Sequence, residues 1–301
     1  MDSDEEAWMK VLYATDGGAP AMQALALLKR VAAPENAQVS AVTVVGGRVG
    51  EMVEDEGLRP ATEILQSAVT ELKEAGIAAE MRILRGEPGP TILKEIAEGG
   101  FELAVLGAGN RSWLGRLLLG SVSTKVLHAS PTSMMIVRRI SDVSSPVQVL
   151  FATPVQVLFA TDGSAYADVA LEQMIAFMHP STCQINVLSV AEHLMSQLSF
   201  PIPRVGYATS APTSELERDW IAAAKELATD AADNLERAGF RTQAQAVLGA
   251  PVARVLAEAL NVQADLLVVG SRGLGAVDKA AIGSVSDQLV REAPATFVSR
   301  S

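Results

Sequence analysis

The sequence predicts an α/β fold of two tandem doubly wound domains, each a five-stranded parallel sheet with helices on both faces. Three observations carry this. The chain repeats itself. Within each repeat, short apolar runs alternate with amphipathic helical stretches, the pattern of strand–helix–strand units and hence of a parallel sheet. The apolar runs also lack polar alternation, as strands do when both faces of their sheet are covered.

The repeat sets the element order. VLYATDGG (residues 11–18) returns as VLFATDGS (157–164), an offset of 146 that also places Leu25 on Leu171, Leu28 on Met174 and Val44 on Val190. Farther on the offset is 163. Gly86 and Pro88 fall on Gly249 and Pro251, and Leu103, Val105 and Gly107 fall on Leu266, Val268 and Gly270. Gly120-Ser121-Val122-Ser123 falls on Gly283-Ser284-Val285-Ser286, and Pro131 on Pro294. The second copy therefore holds 17 extra residues between its second and third strands, and the Pro-, Gly- and Ser-rich segment 196–214 reads as that loop.

Residues 10–15 form an apolar run stopped by Asp-Gly-Gly, a buried strand. The helix after it has Pro20 in its first turn and Ala21, Leu25, Leu28 and Ala32 on one face. Its counterpart has Ser164 as N-cap and Ala170, Met174 and Phe177 along the same stripe. A strand over 38–45, a helix over 61–75, a strand over 79–84, a helix over 90–97 and a strand over 103–106 follow. A glycine-rich loop then opens a helix that stops before Pro131, and 133–137 is the last strand. The chain divides into a first domain (1–140), a linker (141–154) and a second domain (155–301).

The linker holds a duplication. PVQVLFAT occupies 146–153 and again 154–161, and only the second copy runs on into Asp-Gly-Ser. Both copies have the same intrinsic strand preference, so downstream residues set the register. The offset of 146 gives the central strand to the second copy. The first copy is surplus, expected to be disordered or a stray edge strand.

Composition narrows the function. A chain of 301 residues exceeds the usual limit of one core. A net charge of −11 argues against binding a nucleic-acid backbone, which needs clustered Lys and Arg. It leaves room for a single nucleotide, whose phosphates backbone N–H groups can hold. The lone cysteine, Cys183, permits no intrachain disulfide and points to a reducing compartment; it reads as a small core residue. The acidic start MDSDEEAWMK has no apolar stretch, and no run of 18 uncharged apolar residues exists, so neither a secretory signal nor a membrane span is expected and a cytoplasmic location is. His128, His179 and His193 lack ligand-like spacing, so no metal site is assigned. Neither a P-loop nor a G-x-S-x-G elbow occurs.

Parallel sheets of this kind bind ligands beyond the carboxyl ends of their strands, where strand order reverses. Two loops in each copy have suitable chemistry. One follows the first strand and carries Asp16 or Asp162; the other follows the fourth strand and reads GAGNRSWLGRLLLGSVS or GSRGLGAVDKAAIGSVS. In the latter, Gly283-Ser284 opens a helix whose N-terminal N–H groups suit an anion, with Ser284 and Ser286 hydroxyls adjacent. The same glycines would also make a plain strand-to-helix turn.

Gly270-x2-Gly273-x9-Gly283-Ser284, with Asp162 directly after the first strand and Val190 near the end of the second, resembles the nucleotide-binding signature of the universal stress protein family. The resemblance covers both copies. It implies the sheet order 3-2-1-4-5, so that the two loops meet. It places the Asp and Val beside adenine and ribose, and the glycine loop and Gly-Ser at the phosphates. Carried over by position, the second copy offers Asp162 and Val190 to the nucleoside, and Gly270, Gly273, Gly283, Ser284, Val285 and Ser286 to the phosphates. The first copy offers Asp16, Val44, Gly107, Gly120, Ser121 and Ser123. It departs at Asn110, which stands where the second loop glycine belongs, with Gly109 one residue out of register. Asn tolerates left-handed backbone, yet its side chain would crowd a phosphate. Trp113, Leu114, Leu117 and Leu118 make that loop apolar, suited to cover an interface or fill the pocket.

The resemblance implies an ATP-binding stress-response regulator, with AMP or ADP as related ligands and Mg accompanying a triphosphate. The second site is expected to be the stronger. No general base aims at a γ-phosphate, so no catalytic residue is assigned and little or no turnover is expected. Arg272 and Lys279 either pair with phosphates or are solvated. A scaffold for a small metabolite or partner protein, and a slow ATPase, are the alternatives. The apolar last strands, SMMIVRR and ATFVSRS, would lie at sheet edges that invite pairing. The family pattern implies an intrachain pseudo-dimer of the two domains, and a homodimer beyond it.

Overall fold

The computed structural model describes residues 8–46, 55–109, 119–138, 154–192, 215–273 and 282–300. The first half runs β1 (Met9–Ala14), α1 (Ala19–Val31), β2 (Ala37–Val45), α2 (Asp55–Glu74), β3 (Ala78–Arg85), α3 (Pro88–Gly99), β4 (Leu103–Ala108), α4 (Ser121–Ala129) and β5 (Ser133–Arg138). The second half runs β6 (Val155–Thr161), α5 (Ala165–Phe177), β7 (Cys183–Ala191), α6 (Glu215–Arg237), β8 (Arg241–Leu248), α7 (Pro251–Asn261), β9 (Leu266–Gly270), α8 (Ser284–Glu292) and β10 (Ala295–Ser299).

The second octapeptide copy forms β6. The first copy, and the loop segment 196–214, lie outside the described residues. One helix differs from expectation. α2 begins at Asp55 rather than residue 61 and carries Pro60 inside it. A proline there removes one backbone donor, and the helix continues because Leu65, Ala68 and Leu72 bury its apolar stripe farther on.

The ten strands form one sheet in the order β3-β2-β1-β4-β5-β10-β9-β6-β7-β8. Each half has the order 3-2-1-4-5, with every pair inside a half parallel. The halves meet where β5 and β10 pair antiparallel, Met135 opposite Phe297 and Met134 opposite Val298. Each apolar last strand thus covers the edge of the other.

Strand side chains alternate between two layers. Val11, Tyr13, Val105, Met135, Val157, Phe159, Val268 and Phe297 pack with Leu28, Leu72, Met174 and Leu235 from α1, α2, α5 and α6. Leu12, Leu106, Met134, Leu158, Leu267 and Val298 pack with Ile96, Leu127, Val255 and Leu289 from α3, α4, α7 and α8. Both layers cross the seam between the halves without a break.

The seam is self-complementary. Ala33 N–H donates to the Phe177 carbonyl at 2.8 Å, and His179 N–H donates to the Val31 carbonyl at 2.8 Å. By the offset of 146, Phe177 is the counterpart of Val31 and His179 that of Ala33. One bond is made twice, the mark of an isologous contact. Arg300 Nη2 adds a bond to the Leu127 carbonyl at 2.7 Å, and Asp287 pairs with Arg291 at 2.9 Å and His128 at 3.3 Å. Among the described residues no helix is long and apolar enough to cross a membrane.

Candidate functional site

β1 lies beside β4, and β6 beside β9. The helices after β1 and β6 pack on one face; those after β4 and β9 pack on the other. In sheets of this order, the carboxyl ends of these strand pairs are where ligands bind.

The loop after β6 is held by its own side chains. Gly163 N–H donates to Thr161 Oγ1 at 3.2 Å, and Ser164 N–H donates to Asp162 Oδ1 at 3.0 Å. This Asx turn needs the left-handed backbone of Gly163, at φ +71°. Ser164 caps α5, its Oγ accepting from Ala167 N–H at 3.3 Å and donating to the Arg272 carbonyl at 3.4 Å. The first half repeats the turn, with Gly17 N–H on Thr15 Oγ1 at 3.0 Å and Gly18 N–H on Asp16 Oδ1 at 2.9 Å. Gly18 provides no side-chain cap for α1.

Gly270 and Gly107 end their strands against a helix. A Cβ on Gly270 would lie 2.8 Å from the Tyr166 carbonyl carbon, and one on Gly107 would lie 2.2 Å from Ala21 N. These two glycines permit strand and helix backbones to touch. Gly273 has a different neighbour, since its Cβ would lie 2.5 Å from Asp162 Oδ2. The two loops therefore meet at these residues.

Gly283 and Gly120 are the N-caps of α8 and α4. Gly283 N–H donates to the Ser271 carbonyl at 2.7 Å. Ser284, Val285 and Ser121 lie exposed in the first turns. Ser286 and Ser123 are buried, and their hydroxyls donate to the Gly270 and Gly107 carbonyls at 2.8 and 3.2 Å. A hydroxyl has one hydrogen, so these two serines tie helix to strand end with it.

Val190 pairs with Val247 across β7 and β8, and Val44 with Leu84 across β2 and β3. Val190, Val247, Ala160 and Ile282 are partly buried apolar residues on the α7–α8 layer.

Sequence reasoning missed Tyr166, and of its two alternatives for Arg272 the solvated side chain is overturned. The Arg272 side chain does not extend into solvent. It is 8% exposed, with its guanidinium carbon 5.0 Å from the Tyr166 ring centroid and Nη1 donating to Tyr166 Oη at 2.6 Å. The internal alignment carried a signal. Tyr166 stands on Pro20 and Arg272 on Gly109, so both members of the pair change together between the copies. In the first half a Cβ on Gly109 would lie 2.7 Å from Pro20 Cγ. Asn110, Trp113, Leu114, Leu117, Leu118 and Lys279 lie outside the described residues.

Burial pushes the Tyr13 hydroxyl far above its usual range, and that hydroxyl donates to the Ala21 carbonyl at 2.8 Å. Burial also pushes the Cys183 thiol up to about 11, which removes it from nucleophilic chemistry near neutral pH.

The sequence profile of the universal stress protein family matches residues 7–138 and again 156–298. The chain belongs to the universal stress protein family. The universal stress protein YxiE of Bacillus subtilis is 30% identical over 145 residues, 43% of this chain and 98% of that relative. A universal stress protein of Synechocystis is 37% identical over 84 residues, 28% of this chain and 54% of that relative. The crystal structure of a universal stress protein from Archaeoglobus fulgidus is 23% identical, covers 97% of this chain and 98% of its own, and has a TM-score of 0.63. That likeness extends the shared fold across both universal-stress-protein halves.

Proposed function

We propose that the chain binds an adenine nucleotide, ATP foremost, at the carboxyl ends of its strands, with the second half the stronger site and little or no turnover. The observation that supports this is the meeting of Asp162 and Gly273, where a Cβ on residue 273 would lie 2.5 Å from the carboxylate. Only a residue without a side chain lets that backbone lie against the Asp162 carboxylate, which brings both within reach of one ligand. The Asp162 carboxylate, oriented by Ser164 N–H, suits ribose hydroxyls. The partly buried apolar residues Ala160, Val190, Val247 and Ile282 suit a flat heteroaromatic base.

Phosphates would face the first turn of α8, where the backbone N–H groups of Ser284, Val285 and Ser286 meet the positive end of the helix dipole. Magnesium would accompany a triphosphate on its oxygens. Asp162 serves as an acceptor and no described residue is assigned as a base, so the output is occupancy: a stress-response regulator read by what it holds. A cytoplasmic location and a homodimer beyond the intrachain pairing belong to the same proposal.

Native mass spectrometry of the purified chain tests this. The reading expects a co-purified adenine nucleotide, with one equivalent retained more firmly than the second. A chain that carries another metabolite, or takes up no ATP at about millimolar concentration, contradicts it.

A further inference from the structure

The first half of the chain is an internal control for the second. In both halves a buried serine in the first turn of the helix after the fourth strand, Ser123 or Ser286, ties that helix to the strand end. Among the described residues, the second half adds a buried arginine on a tyrosine. At the matching places the first half has Gly109 and Pro20, which can make neither the stack nor the hydrogen bond. The tie between helix and strand end therefore forms without this pair, and the pair's purpose lies in what distinguishes the two sites.

Burying a guanidinium is costly unless the group is well paired. Arg300 sits near enough that, after burial, the Arg272 charge is what lowers its pKa, so Arg272 is placed against a like charge as well. What the placement gains is position. The backbone around it has three ties: Ser271 N–H to the Ser299 carbonyl at 2.9 Å, Gly283 N–H to the Ser271 carbonyl at 2.7 Å, and Ser164 Oγ to the Arg272 carbonyl at 3.4 Å. The Tyr166 contact locks the one long side chain in that turn onto the first turn of α5. Gly273 follows directly, at Asp162.

We propose that Arg272 and Tyr166 are positioning residues of the second site: the stacked pair fixes the 271–273 turn, and through the Gly283 N–H bond to the Ser271 carbonyl the start of α8, so that Gly273 and the first turn of α8 present their backbone to the phosphates. This rests on the nucleotide reading above. It gives the inequality of the two sites a cause in named residues.

The test titrates ATP and adenosine into the full chain carrying Tyr166→Phe, Tyr166→Leu or Arg272→Ala, and follows amide exchange at Gly283. Losing the hydroxyl alone weakens ATP about fivefold; losing the stack weakens it about tenfold or more. Adenosine, which has no phosphate, changes less than about twofold. Gly283 exchange accelerates in the stack-breaking variants while far-ultraviolet dichroism is kept. Equal losses for ATP and adenosine, or an unchanged Gly283 exchange rate, overturn the proposal. If the wild type takes neither ligand, the nucleotide reading fails, and Gly283 exchange alone then decides whether the pair holds the turn.

Discussion

Gly273 and Asp162 touch so closely that a single methyl group on residue 273 would lie 2.5 Å from the Asp162 Oδ2. The contact joins the loop after β9 to the loop after β6, and only the flexible end of a side chain stands in the way. Gly273→Ala therefore displaces a carboxylate and leaves the core alone. The expected result is an ATP affinity weakened at least about tenfold, with a melting temperature changed by less than about 2 °C. Titration calorimetry and thermal denaturation on the same preparation check it.

Gly107 is the opposite case. Its Cβ would meet the backbone of α1 at 2.2 Å, and backbone cannot rotate aside. Gly107→Ala should destabilise the first half by about 2–3 kcal/mol through overpacking. Gly46, with nothing within 4 Å of its Cβ position, is the control, and Gly46→Ala should stay within about 0.5 kcal/mol. Chemical denaturation of the two variants separates them.

The surplus octapeptide can be removed. β5 and β6 are separated in the sheet by β10 and β9, three strand spacings or roughly 14 Å. β5 runs antiparallel to β10, so its carboxyl end lies at the same sheet edge as the start of β6. Deleting 146–153 leaves eight residues between Arg138 and Val155, which reach about 26 Å when extended. Melting temperature and ATP affinity should both stay near wild type. A large loss of either would assign the first copy a structural role.

Cys183 gives a pH prediction. Its ordinary pKa of 9.0 is raised to about 11 by burial. Between those values the unfolded thiol sheds its proton while the folded one keeps it, so rising pH draws the chain toward the unfolded state. The stabilising contribution is complete below pH 9 and lost on the way to 11. The buried Tyr13 acts in the same direction. The fall in melting temperature over this range should be smaller in Cys183→Ala, and thiol reagents at pH 8 should label the native protein slowly.

Much of the fold was legible because the chain spells its domain twice. Two offsets, 146 and 163, aligned the strands, and apolar runs marked them as buried. The start of α2 was less legible, since Pro60 reads as a boundary and the residues that hold the helix, Leu65 and Leu72, lie beyond it. At the site, Asp162 and the glycines stood out because turns need particular residue types. Tyr166 and Arg272 did not, since their contact spans 106 residues and has no local pattern. The serines illustrate another limit. Sequence places Ser286 at a helix start, but not the direction of its hydroxyl, which burial turns onto the Gly270 carbonyl.

The central claim is nucleotide binding in the second half, and calorimetric titration of ATP into the full chain and into Gly283→Val tests it most directly. A Cβ at residue 283 would lie 3.2 Å from the Ser271 carbonyl oxygen and 3.3 Å from Arg272 Cα, so a larger side chain disturbs the α8 N-terminus. The account predicts measurable heat for wild type, with the tighter binding step lost in Gly283→Val. No heat and no thermal shift for wild type at about millimolar ATP would contradict it.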